Sequence, residues 1–146
     1  MAPLIALTGG WLVVRLVGLL GVAALDGWQP ALRIALALMF LLTGTAHFSR
    51  KRRGDLIRMV PPAFRRPDLL VTVTGVLELA GAVGLLIPAT ARLAAACLAV
   101  LMLAMFPANV YAARRGLELG GRPVTPLAPR TLLQVVFVGA AVAAAF

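Results

Sequence analysis

One apolar stretch, residues 70–88, constrains the fold of this chain more than any other part of the sequence. It is long enough to cross the hydrocarbon core of a bilayer as a helix. Glu78 lies near its middle, and Gly75, Gly81 and Gly84 lie on either side. A carboxylate at that depth is costly unless it is protonated or paired, so we expect Glu78 to face protein or water. Because glycines let a neighbouring backbone come close, the stretch predicts a helix packed inside a membrane bundle.

The composition also points to the membrane. Hydrophobic residues make up 62% of the 146 residues, whereas they make up roughly half of an ordinary soluble domain. The formal net charge of +9 would suggest nucleic acid binding in a soluble chain. Here, however, the basic residues lie in the gaps between apolar spans, and no aromatic-basic stacking motif accompanies them. The sequence therefore predicts an integral membrane protein whose first partner is the lipid bilayer and which binds no nucleic acid.

Five apolar spans predict five transmembrane helices. We take the first span as a retained helix, because it lacks the basic residues that precede the apolar core of a signal peptide. The last span is short unless it begins near Leu127. The expected fold is an all-α membrane protein in a single domain, with a four-helix transmembrane bundle and an additional N-terminal transmembrane helix. The predicted spans are about 3–25, 31–48, 70–88, 93–112 and 131–146.

Arg15 lies in the middle of the first predicted span and allows two interpretations. If the span is fully transmembrane, the arginine needs an acidic partner inside the bundle, and Glu78 is the acid at comparable depth. If the helix begins near Trp11, Arg15 lies close to the membrane interface and its side chain extends to the headgroups. The sequence leaves both interpretations open.

The distribution of basic residues predicts the orientation. Eleven of the fourteen lie in two loops, residues 49–69 and 113–130, which follow the second and fourth spans. In a five-span chain these loops share one side, and their positive charge predicts that this side is cytoplasmic. We therefore expect a protein of the cell membrane with a cytoplasmic N terminus and a C terminus outside.

The first basic loop also contains apolar residues. Met59, Val60 and Phe64 lie between arginines, and Pro61 and Pro62 end any helix there. These apolar side chains would be exposed if the segment hung in solvent. We therefore expect the segment to pack against the end of the bundle, in the membrane interface.

Polar side chains at the cytoplasmic ends of the spans form the candidate site. If the third span begins at Leu70, Glu78 lies about 12 Å deeper, from the rise of a helix per residue. A polar funnel down to Glu78 would suit a proton path or a small polar ligand, with His47 exchanging protons at its mouth. The residues assigned to the candidate ligand-binding or buried polar site are Glu78, His47, Asn109, Gln134, Thr43, Thr74 and Arg15.

Several of these residues also have structural explanations. A histidine at a helix end, such as His47, is more often a capping or solvated residue than a catalytic base. Asn109 and Gln134 are equally suited to link helices or to bind a ligand. Pro107 removes a backbone donor in the fourth span, and Asn109 is the nearest side chain to satisfy the freed carbonyl of Leu103. No metal-ligand spacing, phosphate-binding loop, nucleophile elbow or haem motif occurs, and a single cysteine excludes an internal disulfide. No metal is expected, and catalytic residues stay undefined.

Four short motifs follow one another in the sequence: His-Phe at 47–48, Met-Val-Pro-Pro at 59–62, Gly-Val-Leu-Glu-Leu-Ala-Gly at 75–81 and Phe-Pro-Ala-Asn-Val-Tyr at 106–111. Taken together, they resemble the DoxX family of small bacterial membrane proteins. The similarity covers residues 31–146 and implies a four-helix membrane bundle. Its members are named after a membrane subunit of a thiosulfate:quinone oxidoreductase, and more distant relatives look like assembly chaperones for membrane receptors. The positions carried over are Glu78, His47, Pro107 and Asn109, without an agreed catalytic set.

Two classes of function follow as expectations. The first is an accessory subunit of a quinone-linked or thiol/sulfur redox system, which would bind a quinone near Glu78 and act with a membrane or peripheral redox partner. The second is a non-enzymatic assembly or scaffold protein that packs on a partner membrane protein. A small-solute transporter is a third, although no inverted repeat is visible. Whether the chain is an enzyme, and whether it forms a homo-oligomer, is left open.

The orientation can be tested by cysteine labelling. Cysteine introduced at Ser49 or at Gly121 should react in intact cells only with membrane-permeant reagents, because both positions lie in the loops expected to be cytoplasmic. Reaction of either cysteine with an impermeant maleimide would reverse the orientation.

Overall fold

Helices account for most of the fold. The computed structural model describes residues 2–146, in which five helices are long and apolar enough to cross a membrane. The all-α, multi-span architecture predicted from the sequence is thus confirmed. The helices are α1 (Ala2–Leu19), α2 (Trp28–Ala46), the short α3 (Arg53–Met59), α4 (Pro67–Leu86), α5 (Ala91–Arg115) and α6 (Leu127–Ala145), with a 3-10 turn at Ala23–Leu25.

Four of the long helices form the bundle. α2 packs against α4 and α6, and α5 packs against α4 and α6, which closes a ring of four. The side chains of Leu36, Met39, Phe40 and Leu98 are the largest that are fully buried in its core. α1 packs chiefly on α2. The arrangement is the predicted four-helix bundle with an additional N-terminal helix.

Two helix boundaries differ from the expected spans by four residues or more. α1 ends at Leu19 instead of near residue 25, because the chain turns back on itself there. A Cβ atom on Gly18 would lie 2.4 Å from the carbonyl oxygen of Leu25, and Gly21 adopts a φ of +114°. α6 begins at Leu127 and has 19 residues, which is long enough to cross a bilayer without local thinning.

Glycines bring α4 close to its neighbours, as the sequence predicts. A Cβ atom added to Gly75 would lie 2.6 Å from the Cβ of His47, and one added to Gly81 would lie 2.5 Å from the side chain of Leu98. Gly84 makes a similar close contact with α5. No larger residue fits at these points without moving a neighbouring helix or side chain.

The two basic loops lie on the same side of the bundle and touch each other. The backbone N–H of Gly120 in the second loop donates to the Asp55 carboxylate in α3 at 2.7 Å. α3 also packs on α4 and α5. The two basic loops therefore lie on one side of the bundle, as the charge distribution predicts.

The second basic loop contains a small hairpin that the sequence interpretation missed. Gly120 and Gly121 both have positive φ, of +63° and +76°. The N–H of Leu119 donates to the carbonyl of Arg122 at 2.8 Å, which closes the turn. Two adjacent glycines with positive φ are the signature of a type I′ hairpin turn, so a local signal was present.

The apolar segment of the first loop only partly meets the expectation. Met59, the last residue of α3, is buried in the bundle. Phe64 is 49% exposed, so its predicted packing is wrong. The reason is local: Val60 is extended, and Pro61 and Pro62 prevent the helix from continuing, so the chain turns away before Phe64.

Substitution of Gly75 tests the close approach of α2 and α4. Gly75→Ala should lower the free energy of unfolding by about 1–3 kcal/mol, because the added methyl group overlaps the Cβ of His47. The measurement is the unfolding midpoint in detergent. Gly139→Ala in α6 is the matched control: nothing lies within 4 Å of its new Cβ, so its effect should be neutral or slightly stabilising. Equal effects of the two substitutions would contradict the packing argument.

Candidate functional site

The buried face of α4 carries Glu78 in a row of otherwise small or apolar residues. Val71, Gly75, Glu78, Ala82 and Leu85 are buried at the three- and four-residue spacing of one helix face. The glutamate is only 3% exposed. The carboxyl group therefore lies in the core of the bundle, where Glu78 was predicted to lie.

Thr43 of α2 is the hydrogen-bond partner of this carboxyl group. Its Oγ1 lies 2.5 Å from Oε2 of Glu78, so one short bond joins α2 to α4. Both ion pairs found within residues 2–146 lie near helix ends and do not involve Glu78. Thr43 was among the residues assigned to the candidate site, and its neutral hydroxyl bonds the carboxyl group where a cation could otherwise have done so.

His47 lies one turn beyond Thr43, directly after the end of α2. Its Nδ1 lies 3.0 Å from the backbone carbonyl of Thr43. Because a carbonyl only accepts, Nδ1 carries the proton. Burial, assisted by the charge of Arg53 and opposed by the bond to Thr43, lowers the pKa of His47 below its ordinary value. The imidazole is thus a buried group that donates to the backbone of Thr43 and packs on Gly75.

Arg53 of α3 closes the end of this cluster and was not predicted. Its guanidinium donates to the carbonyl of His47 at 3.2 Å and to Oγ1 of Thr72 at 2.8 Å. A cation at the C-terminal end of α2 is favoured by the helix dipole. The residue lies in the basic run 50–53, where sequence alone does not distinguish one arginine from its neighbours.

A second polar cluster joins α5 to α6. Nε2 of Gln134 donates to the carbonyl of Met102 at 2.8 Å, and Arg130 donates to Oδ1 of Asn109 at 2.5 Å. The expectation that Asn109 would satisfy the carbonyl of Leu103 is therefore wrong. The half-buried guanidinium of Arg130 donates a hydrogen bond to the amide oxygen of Asn109. Gln134 bonds the carbonyl of Met102, one residue before Leu103.

Arg15 and Thr74 lie outside both clusters. Arg15 donates to the backbone carbonyl of Asp26 and lies 3.5 Å from its carboxylate. The interpretation that pairs Arg15 with Glu78 is therefore wrong, because α1 ends one turn after the arginine and places it beside the turn to α2. The hydroxyl of Thr74 bonds the carbonyl of Leu70 in its own helix.

The predicted site thus separates into parts. The Glu78 cluster, which we define as Thr43, His47 and Glu78, is one, and the α5–α6 contacts of Asn109 and Gln134 are another. In the described residues, no group of three or more His, Cys, Asp or Glu side chains could hold a metal ion. Two cavities, of about 260 and 620 Å³, lie at the basic side of the bundle, and neither is lined by Glu78.

Comparison with known proteins gives one family. Residues 36–145 match the family described as a domain of unknown function, DUF8561. No curated protein and no solved structure matches the chain. The matched region begins inside α2, so it contains the Glu78 cluster and the α5–α6 contacts and leaves out α1.

The Thr43–Glu78 bond can be tested by removing its donor. Thr43→Val should lower the free energy of unfolding by about 0.6–2 kcal/mol, the range for interhelical hydrogen bonds in membranes. Thr45→Val is the matched control, because the Thr45 hydroxyl is exposed and bonds only its own helix. Unfolding in a mixed detergent series measures both variants. Equal losses would show that the bond to Glu78 contributes nothing specific.

Double variants separate the two interpretations of Glu78. Glu78→Gln keeps an oxygen acceptor for Thr43, so it should cost less than Thr43→Val. Combined with Thr43→Val it should be non-additive, since the two residues share one bond. Combined with Arg15→Leu it should be additive, because Arg15 bonds Asp26 instead. If the effects of Glu78→Gln and Arg15→Leu were instead non-additive, the two residues would be shown to interact, contrary to the structure.

Proposed function

We propose that this chain, which belongs to the DUF8561 family of unknown function, is a non-enzymatic multi-pass membrane protein that acts by packing on a partner membrane protein. The observation that carries the proposal is that polar groups inside the membrane form hydrogen bonds between helices. Glu78, Asn109 and Gln134 each bond another helix of the same bundle, and these bonds hold the bundle in one arrangement. A partner protein would then contact the outer surfaces of the bundle.

The polar contacts support this proposal in detail. Glu78 accepts from Thr43 between α2 and α4, and Gln134 bonds the carbonyl of Met102 between α6 and α5. A ligand site directs a few polar groups into a cavity. In this bundle the same residue types instead serve as interhelical hydrogen bonds, a common device for fixing helices in membranes.

The outer face of α1 is an apolar surface that the rest of the bundle leaves largely uncovered. Its side chains at Leu12, Val13 and Leu16 are 55–61% exposed, while the helix itself packs chiefly on α2. In a bilayer such a face is covered by lipid or by another transmembrane helix. We assign the partner contact to α1 because it extends the bundle without contributing to the ring of four helices.

A second candidate is an accessory subunit of a quinone-linked or thiol/sulfur redox system. The observation that favours it is the position of Glu78, since an apolar residue would occupy the middle of α4 at lower cost. A protonated carboxyl group at that depth could donate to a quinone carbonyl or pass on a proton. The resemblance to the DoxX family points the same way and stays a hypothesis.

The partner contact can be tested by photo-crosslinking in native membranes. A crosslinking amino acid at Leu12 of α1 should give an adduct of one defined mass with a membrane protein. The same amino acid at Leu132 of α6, which is similarly exposed at 65%, is the control and should give lipid adducts. Lipid adducts alone at Leu12 would refute a partner on α1.

The redox alternative has a separate test on the purified protein. Addition of decylubiquinone should leave the thermal unfolding midpoint of the wild type unchanged, because the Glu78 carboxyl group is already hydrogen-bonded to the Thr43 hydroxyl. Stabilisation of the wild type by the quinone, together with its loss in Glu78→Gln, would favour the redox subunit over the assembly protein.

A further inference from the structure

A basic cleft lies where the two basic loops meet. It has a volume of about 620 Å³ and is lined by Lys51, Arg52 and Arg122 together with the hairpin residues 119–121. All three basic side chains belong to exposed residues. The cleft faces the side of the bundle that holds most of the positive charge.

The cations of this basic cleft are free to bind a ligand. Within residues 2–146 the side chains of Lys51, Arg52 and Arg122 take part in no hydrogen bond or ion pair, whereas Arg53 bonds His47 and Arg58 pairs with Asp55. Three like charges around one cavity repel one another until an anion enters. Phosphate is the anion whose oxygens best match the planar donors of arginine.

The walls of the cleft are held in place by the loop contact. The N–H of Gly120 donates to Asp55, and this bond lowers the pKa of the Asp55 carboxyl, with a smaller contribution from Arg58. A Cβ on Gly120 would lie 3.9 Å from Nε of Arg52. The hairpin turn therefore lies against the Arg52 side chain and forms one wall of the cleft.

An apolar groove continues from the basic cleft along α2. It has a volume of about 260 Å³ and is lined by Leu42, Thr45, Ala46, Ser49 and Arg52. Arg52 belongs to both cavities, so they adjoin at this residue. Leu42 and Ala46 are about one helical turn apart on the side of α2 that faces outward from the bundle, where acyl chains lie in a bilayer. A polar end and an apolar end joined at an arginine match an amphiphile better than a small ion.

We propose that the basic cleft and the apolar groove together form one binding site for an anionic phospholipid. The headgroup phosphate lies between Lys51, Arg52 and Arg122, and one acyl chain follows α2 from Ser49 towards Leu42. A clustered set of basic residues directly beyond a transmembrane helix is the pattern that binds acidic headgroups. A free phosphate shares the chemistry of the cleft but would leave the groove empty. The proposal is independent of the partner assigned to α1.

Native mass spectrometry of the full chain, released from detergent micelles with added lipid, tests the cleft. Phosphatidylglycerol should be retained on the order of a hundredfold more strongly than phosphatidylcholine, because each of the three basic residues contributes about fivefold. The triple variant K51Q/R52Q/R122Q should lose this preference. The triple variant R65Q/R66Q/R114Q removes the same charge from exposed positions on the same side and should keep it. If both triple variants lost the preference, lipid retention would reflect only the total positive charge, and the proposed site would be refuted.

The groove and the free-anion alternative are tested on the same preparation. Thr45→Trp should weaken phosphatidylglycerol retention, because Thr45 is exposed and lines the groove. Val100→Trp, at an exposed position of α5 away from the groove, is the control and should retain the lipid. Inorganic phosphate in millimolar excess should not displace the lipid. Displacement by phosphate, or equal retention by both tryptophan variants, would show that the acyl chain is not part of the site.

Discussion

The hydrogen bond from Thr43 to Glu78 joins α2 to α4 in a medium that offers water to neither group. In hydrocarbon no water replaces a lost partner, so separating or sliding the two helices would leave the carboxyl group unsatisfied. The backbones come close enough for this bond because Gly44 faces the side chains of Leu79 and Glu78, and Gly75 faces His47. The small residues and the polar pair therefore depend on each other.

The same constraint explains why long polar side chains reach across helix boundaries to backbone carbonyls. Gln134 bonds the carbonyl of Met102, close to the point at which Pro107 interrupts the α5 ladder. Arg33 donates to the carbonyl of Ala144 at 3.1 Å, in the last turn of α6. The carbonyl of Ala144 lacks a partner within its own helix. The carbonyl of Met102 lies beside that of Leu103, whose backbone donor Pro107 removes. The side chains satisfy them and tie neighbouring helices together at the same time.

The parts of the fold that follow from bilayer physics could be predicted from the sequence. Length and hydropathy predict the spans, and basic residues predict which loops share a side. Local choices were harder to predict. The partner of Arg15 depends on where α1 ends, and that depends on Gly18 fitting against a backbone that comes later in the chain. Arg53 lies in a basic run without a distinguishing signal. The hairpin at Gly120 and Gly121 had such a signal in its paired glycines.

The division of the candidate site has a geometric cause. Counting residues along a helix predicts depth, so Glu78, Asn109 and Gln134 were expected within one funnel. The direction in which each side chain points around the bundle depends on which helices pack together, and α4 presents its glutamate to α2 while α6 presents Gln134 to α5. Both interfaces lie within the family region, residues 36–145, whereas Arg15 lies outside it. The contacts of Glu78 and Gln134 therefore belong to the part of the chain that matches the family, which does not include α1.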